Sequence, residues 1–165
     1  MNTAILRTTG LSLLLLMSVA RGDLRRVNDG KFVSAAQLAS QVVHPVNGLD
    51  FKEVASSPQS TILIARRDKS GEVEVHGVVD DILIAETGHA TVVVGGHVTG
   101  NRETAANEWR GGEQSGGKAY DVGPGDLVLI PAGSPHTVTV PADASFTYLM
   151  VKTPAQYPIN PTSGH

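Results

Sequence analysis

The sequence predicts an all-β barrel or sandwich with one short N-terminal helix. Three observations predict it. Short apolar or alternating runs recur along the chain and are separated by Gly and Pro. Gly is 18 and Pro is 9 of the 165 residues, so turns are plentiful. Helix signals disappear after Ala39. Aromatics are only 4 %, so Val, Ile, Leu and Ala must build the core.

The elements follow in order. Ser34 stands where an N-cap would before Ala35-Ala36-Gln37-Leu38-Ala39, which reads as the helix. Thr61–Arg66 is a strand, and Asp68-Lys69-Ser70-Gly71 is a turn. Glu72–His76 alternates strictly. Asp81–Glu86 is a strand closed by Thr87-Gly88, and Ala90–Val94 ends at Gly95-Gly96. Leu127–Ile130 is apolar throughout, His136–Val140 alternates, and Phe146–Val151 closes the set. Between them, Asn101–Gly117 is polar and too long for a hairpin turn; it reads as a flexible or a functional loop. Pro154–His165 is Pro-rich and reads as an extended tail. No solenoid period is present.

The N-terminus reads as an address. Arg7 and no acid precede the apolar run Gly10–Met17, and Ser18-Val19-Ala20 gives small residues at the first and third positions. That is the pattern of a secretory signal cleaved near Ala20. The apolar run is about half of the ~20 residues that span a bilayer. The expected division is signal 1–20, an N-terminal extension 21–57, a barrel 58–153 and a tail 154–165. Cys is 0, which excludes disulfides, thiol catalysis and thiolate metal sites. Net charge is −3 with no basic stripe, which argues against nucleic acid or an anionic membrane as partner.

Chemistry concentrates in two segments. In Gly125–His136 a Gly-Asp turn starts a short buried strand, and Pro131 ends it by withholding a ladder donor. Gly133 and Pro135 then deliver His136 onto the next strand. The spacing G-x5-P-x-G-x2-H resembles the second motif of the cupin superfamily and is complete through the histidine; Val140 stands at the usual Asn. The first cupin motif, G-x5-H-x-H-x3,4-E-x6-G, aligns backwards from Gly88 as Glu74-x-His76-x4-Asp81-x6-Gly88. Glu replaces the first His, Asp replaces Glu, and position 68, the leading Gly, is Asp. The resemblance to a small single-domain cupin covers roughly Thr61 to Val151.

Strand geometry agrees with that alignment. Residues two apart share a face, so Glu74 and His76 point the same way. In a closed barrel they converge with His136 and Asp81, giving two imidazoles and two carboxylates. That set suits Fe(II), Mn(II), Ni(II) or Zn(II). Each group has a plainer reading beside this one. His136 could only satisfy a hydrogen bond at the barrel mouth, Glu74 and His76 could face outward together, and Asp81 could cap its turn with Asp80. His89 and His97 read as surface residues, and His44 and His165 as incidental. Trp109-Arg110 is either a lid or loop packing.

The resemblance implies a jelly roll with a pocket at one mouth, here expected to be lined by Leu83 and Leu129. It also implies homodimers formed by exchange of N-terminal strands, with Val43–Ser57 as the candidate segment. The expected function is an exported small cupin holding a divalent metal and acting on a small organic molecule. Isomerase or epimerase, lyase and dioxygenase chemistry all remain open. Glu74 is the candidate general base, its pKa raised by a dry barrel. The alternatives are a non-catalytic small-ligand-binding cupin and a structural envelope protein.

Overall fold

The structure is a computed structural model that describes residues 30–41, 44–45 and 47–156. The signal segment 1–20, Val43, the tail beyond 156 and His165 lie outside the described residues. All that follows concerns the unit that begins at Lys31.

The helix α1 (Ala35–Ala39) forms as its cap predicts. The Ser34 side chain accepts from the Gln37 amide and the Gln37 side chain accepts from the Ser34 amide, which closes a capping box. Thirteen strands follow: β1 (Leu49–Ser57), β2 (Ser60–Arg67), β3 (Glu74–His76), β4 (Val79–Thr87), β5 (Ala90–Val94), β6 (His97–Thr99), β7 (Arg102–Ala105), β8 (Glu108–Arg110), β9 (Glu113–Ser115), β10 (Lys118–Val122), β11 (Leu127–Ile130), β12 (His136–Thr139) and β13 (Phe146–Pro154). They form a five-stranded sheet in the order β1-β2-β13-β4-β11 and a six-stranded sheet in the order β10-β5-β12-β3-β8-β7, with β6 and β9 as a separate pair. Every pairing is antiparallel.

The core lies between the two larger sheets. Leu83, Val92, Phe146 and Ile130, from four strands of the two sheets, are essentially sealed from solvent. Alternation dictates which side chains enter it. On β13 the inward set is Phe146, Tyr148, Met150 and then Lys152; on β2 it is Leu63, Ala65 and then Arg67. Each strand thus carries apolar residues into the core and ends that same inward row on a cation. The outer face of the five-stranded sheet is aliphatic as well, with Ile62, Ile82, Ile84, Leu149 and Val151 half-buried and Leu127 and Leu129 exposed.

Several expectations change. The polar stretch 101–117 is not a loop. β7 and β8 make a hairpin turning at Ala106-Asn107, and Asn107 sits at φ 63°, a conformation Asn tolerates. β9 then pairs with β6. Residues 101–117 are too polar to show an apolar alternation; β8 pairs with β3 of the six-stranded sheet, β7 with β8, and β9 with β6. The barrel also begins before position 58, because β1 from Leu49 pairs with β2 of the same chain. Val128 and Ile130 face the core, so Leu129 on the opposite side is 56 % exposed. Leu83 lies in the sealed core. Neither leucine lines the cavity described below.

Candidate functional site

Cross-strand register assembles the polar mouth of the barrel. On the six-stranded sheet Glu74 pairs directly with His136 on one side and with Arg110 on the other, and His76 pairs with Glu108. On the facing sheet Asp81 pairs with Lys152. Opposite charges placed directly across a ladder are a favourable arrangement. The turn Pro131–Pro135 is tied to β3 by the Gly133 amide, which donates to the His76 carbonyl at 2.7 Å. The Ala132 amide donates to Asp80 Oδ1 at 2.7 Å, so Asp80 rather than Asp81 holds this turn.

Three of the four predicted metal groups form a cluster. Glu74, His76 and His136 each present a ligand atom, and these lie within 4.8 Å of one another. His76 Nε2 is 3.7 Å and His136 Nε2 is 3.9 Å from Glu74 Oε2. Both imidazoles are buried, and their ring centroids are 5.3 Å apart. Asp81 is buried too, with Oδ2 at 3.3 Å from His76 Nε2, but both its oxygens accept from Lys152 at 2.8 and 2.7 Å.

The tautomers follow from the partners. His76 Nδ1 is 2.5 Å from Glu108 Oε2, and His136 Nδ1 is 3.1 Å from the Ser134 carbonyl oxygen. Both partners are acceptors, so each Nδ1 carries the hydrogen and each Nε2 presents a lone pair inward. A ring hydrogen given to a carboxylate or a carbonyl is how metal-binding histidines are held. Two groups bound to one ion at about 2.1 Å are themselves roughly 3–4 Å apart, which matches the 3.7 and 3.9 Å from the two imidazoles to Glu74 Oε2. The donor set therefore fits a divalent ion. Lys152 Nζ lies 3.2 Å from His76 Nε2 and uses that lone pair here. A metal would take its place.

Charge pairing sets the ionisation. Burial pushes the Glu74 carboxyl up, but Arg110, His136, Arg67 and His76 together hold it below its ordinary value. This corrects the expectation of a raised Glu74 pKa: the site is buried but not free of cations. Glu74 Oε1 accepts from Arg67 Nη2 at 3.0 Å, and Oε2 pairs with Arg110 Nη1. Burial likewise raises Asp81, and the His76 ring beside it and the charge of Lys152 outweigh that and lower it. Burial holds His136 below its ordinary value, so the imidazole is neutral at pH 7. Arg67 is itself buried and donates from Nε to the Tyr148 hydroxyl at 3.2 Å. Burial raises Tyr148, which therefore stays protonated.

These groups line a cavity of about 260 Å³, whose apolar wall includes Leu49, Phe51, Leu63 and Met150. Arg67, Glu108, Arg110, Tyr148 and Lys152 were not picked out as site residues by the sequence, although Trp109-Arg110 was noted as a lid or loop packing. Of that pair, Trp109 packs inside while Arg110 faces the cavity. His89 and His97 are exposed, as expected, and so is His44, which read as incidental.

Residues 111–157 match a family described as the AraC-like ligand binding domain. No curated protein matches the sequence. Among solved structures, KdgF from a Halomonas species is 17 % identical, covering 68 % of this chain and 87 % of its own, with a TM-score of 0.50. The TT1209 protein from Thermus thermophilus is 19 % identical, covering 72 % and 94 %, with a TM-score of 0.54. An uncharacterized conserved protein with a double-stranded β-helix domain from Klebsiella pneumoniae subsp. pneumoniae is 14 % identical, covering 78 % and 93 %, with a TM-score of 0.54. At these identities the likeness is one of fold.

Proposed function

This chain has the fold of the cupin superfamily, and from that premise we propose that it holds a divalent metal at Glu74, His76 and His136 and acts on a small organic molecule in the barrel mouth. One observation carries the reading: both imidazoles are locked through Nδ1 with their Nε2 lone pairs turned onto one carboxylate. Fe, Mn, Ni and Zn all suit two imidazoles and a carboxylate. The bound ion would polarise a carbonyl or hydroxyl oxygen of the ligand as a Lewis acid. The protein's own groups supply the rest. Glu108 fixes the His76 ring, and Ser134 fixes His136. Arg67 and Arg110 keep Glu74 ionised and oriented. Glu74 is thus better suited to ligation than to taking a proton, whereas Lys152, half-buried beside His76, is placed to hand one on. Isomerase, lyase and dioxygenase chemistry share this first requirement.

Elemental analysis of protein purified without added metal tests the reading. Roughly one equivalent of metal is expected in the wild type and none in His136→Ala with the fold retained. Metal-free wild type, which takes up none on dialysis against Mn²⁺, Fe²⁺, Ni²⁺ or Zn²⁺, would overturn it.

A second reading, ligand binding without metal or turnover, is favoured by the pairing of Lys152 with Asp81 and of the two arginines with Glu74. That network satisfies its charges without an ion. We propose further that the protein is exported with its signal cleaved near Ala20 and that it is a homodimer. The aliphatic outer face of the five-stranded sheet supports the dimer. N-terminal sequencing of the secreted protein and light scattering check these two proposals.

A further inference from the structure

We infer that the ligand of this site is a small organic anion, a carboxylate with a short hydrocarbon portion, read by Lys152 and Arg110. The inference rests on the metal reading and deepens it. Charge balance is the first argument. Arg67, Arg110 and Lys152 line the cavity with Glu74, Asp81 and Glu108, three cations against three carboxylates. A divalent ion adds two positive charges to a site whose members are largely shielded from water. Uncompensated charge in such a place is costly. A neutral ligand leaves both charges uncompensated, and a carboxylate removes one of the two.

Donor counting is the second argument. Lys152 has three N–H donors. Two are taken by Asp81 and the third points to His76 Nε2. Once a metal holds that nitrogen, the third donor has no acceptor among these partners. Arg110 has five donors; Nη1 is ion-paired with Glu74 without a hydrogen bond, and Nη2 donates to Glu108 at a long 3.5 Å. Arg110 and Lys152 are also the two more open cations, with side chains 27 % and 29 % exposed against 7 % for Arg67. Arg67 is spent on Glu74 and Tyr148, so the two open cations are the ones left to meet a ligand.

Shape is the third argument. The apolar wall, which includes Leu49, Phe51, Leu63 and Met150, offers nothing to a second polar group. A cavity of about 260 Å³ is at the small end for ligand sites and holds a molecule on the order of ten non-hydrogen atoms. A carboxylate at the cationic side with a few carbons toward Leu63 and Met150 satisfies both walls.

The experiment uses the whole chain loaded with Mn²⁺, with metal content measured on each sample. Thermal shift and calorimetry compare acetate, butyrate, hexanoate and succinate with the corresponding primary amides. Carboxylates should bind with affinity rising from acetate to butyrate, and the amides should bind at least ten-fold more weakly. Arg110→Gln, in which Glu74 keeps its bond from Arg67, should retain metal and lose about 10- to 100-fold in carboxylate affinity. Lys152→Met should do the same, and the paired variant Asp81→Asn with Lys152→Met covers the case in which an unpartnered Asp81 prevents folding. Metal-loaded protein that binds amides as well as carboxylates, or binds neither, overturns the inference. So does unchanged carboxylate affinity in both Arg110→Gln and a folded Lys152 variant. Protein that takes up no metal fails by the metal analysis itself and removes the charge argument with it; that failure belongs to the metal reading and is told apart by the elemental measurement.

Discussion

Glu108 offers a sharp separation between holding a metal and holding the fold. Its carboxylate accepts from His76 Nδ1 at 2.5 Å, across the β3–β8 ladder, and touches no other predicted metal group. Replacing it by Ala removes this charge-assisted hydrogen bond and the longer, weaker one from Arg110 Nη2 at 3.5 Å. The Glu108 side chain is 28 % exposed, so solvent screens part of its value, and the cost to stability is about 1 kcal/mol. For a domain of this size that lowers the Tm by about 3–4 °C. The effect on metal is larger. Without the acceptor, the His76 ring is free to rotate and the basicity of Nε2 falls. Loss of such a support costs 10- to 100-fold in metal affinity, or about 1.4–2.7 kcal/mol. Glu108→Gln keeps an oxygen acceptor but not the charge and should fall between. Glu113, exposed on β9, is the control, and Glu113→Ala should change neither quantity. The assay is competition for Zn²⁺ against a chromophoric chelator, beside thermal unfolding of the same samples. Metal affinity within two-fold of wild type in folded Glu108→Ala would refute the argument that this carboxylate orients a ligand.

The other predictions concern packing and ionisation. Gly71→Ala would place a Cβ 2.6 Å from Arg67 Nη1, and that guanidinium is pinned by Glu74 and Tyr148; a Tm loss of several degrees is expected, and it should shrink in an Arg67→Met background if the contact is the cause. Leu83→Ala should cost about 2–5 kcal/mol in chemical denaturation because Leu83 is fully sealed, whereas Leu129→Ala should stay within about 0.5 kcal/mol because Leu129 faces outward; similar losses at both would contradict the assigned faces. In metal-free protein His136 has a lowered pKa, so its contribution to stability is complete above about pH 6.5 and is lost as pH falls through the lower folded value. The lowered Asp81 and Glu74 act in the same sense in the acid range, their contributions present above the ordinary 3.8 and 4.5 and lost below. Tyr148, raised by burial, holds its contribution below pH 10 and loses it above. Tm against pH should therefore show a plateau from about 6.5 to 10, and a Tm still rising as pH drops below 6 would contradict this.

The sequence made the apolar half of the barrel legible and hid much of the polar half. Ala90–Val94 and Leu127–Ile130 match their strands residue for residue, because short aliphatic runs bounded by Gly and Pro have few other solutions. Glu74, His76 and His136 were placed together by a turn motif and by the two-residue period. Arg67 and Lys152 escaped for one shared reason. Each lies one residue past the end of the strand read from the sequence, at Arg66 and at Val151, yet each is in phase with that strand's inward row. Following the phase rather than the hydrophobicity would have found both. Glu108 and Arg110 escaped because β7 and β8 have almost no apolar residue beyond Trp109, and their strand character comes from pairing with β3. The Ala106-Asn107 turn was the available signal.

Anomalous X-ray scattering at the zinc edge, from crystals grown with one equivalent of Zn²⁺, bears on the central claim most directly. A single strong peak should sit about 2.0–2.2 Å from His76 Nε2, His136 Nε2 and a Glu74 oxygen, with the Lys152 amine no longer on His76. A barrel mouth without a peak, its ammonium still bonded to that imidazole, would contradict it.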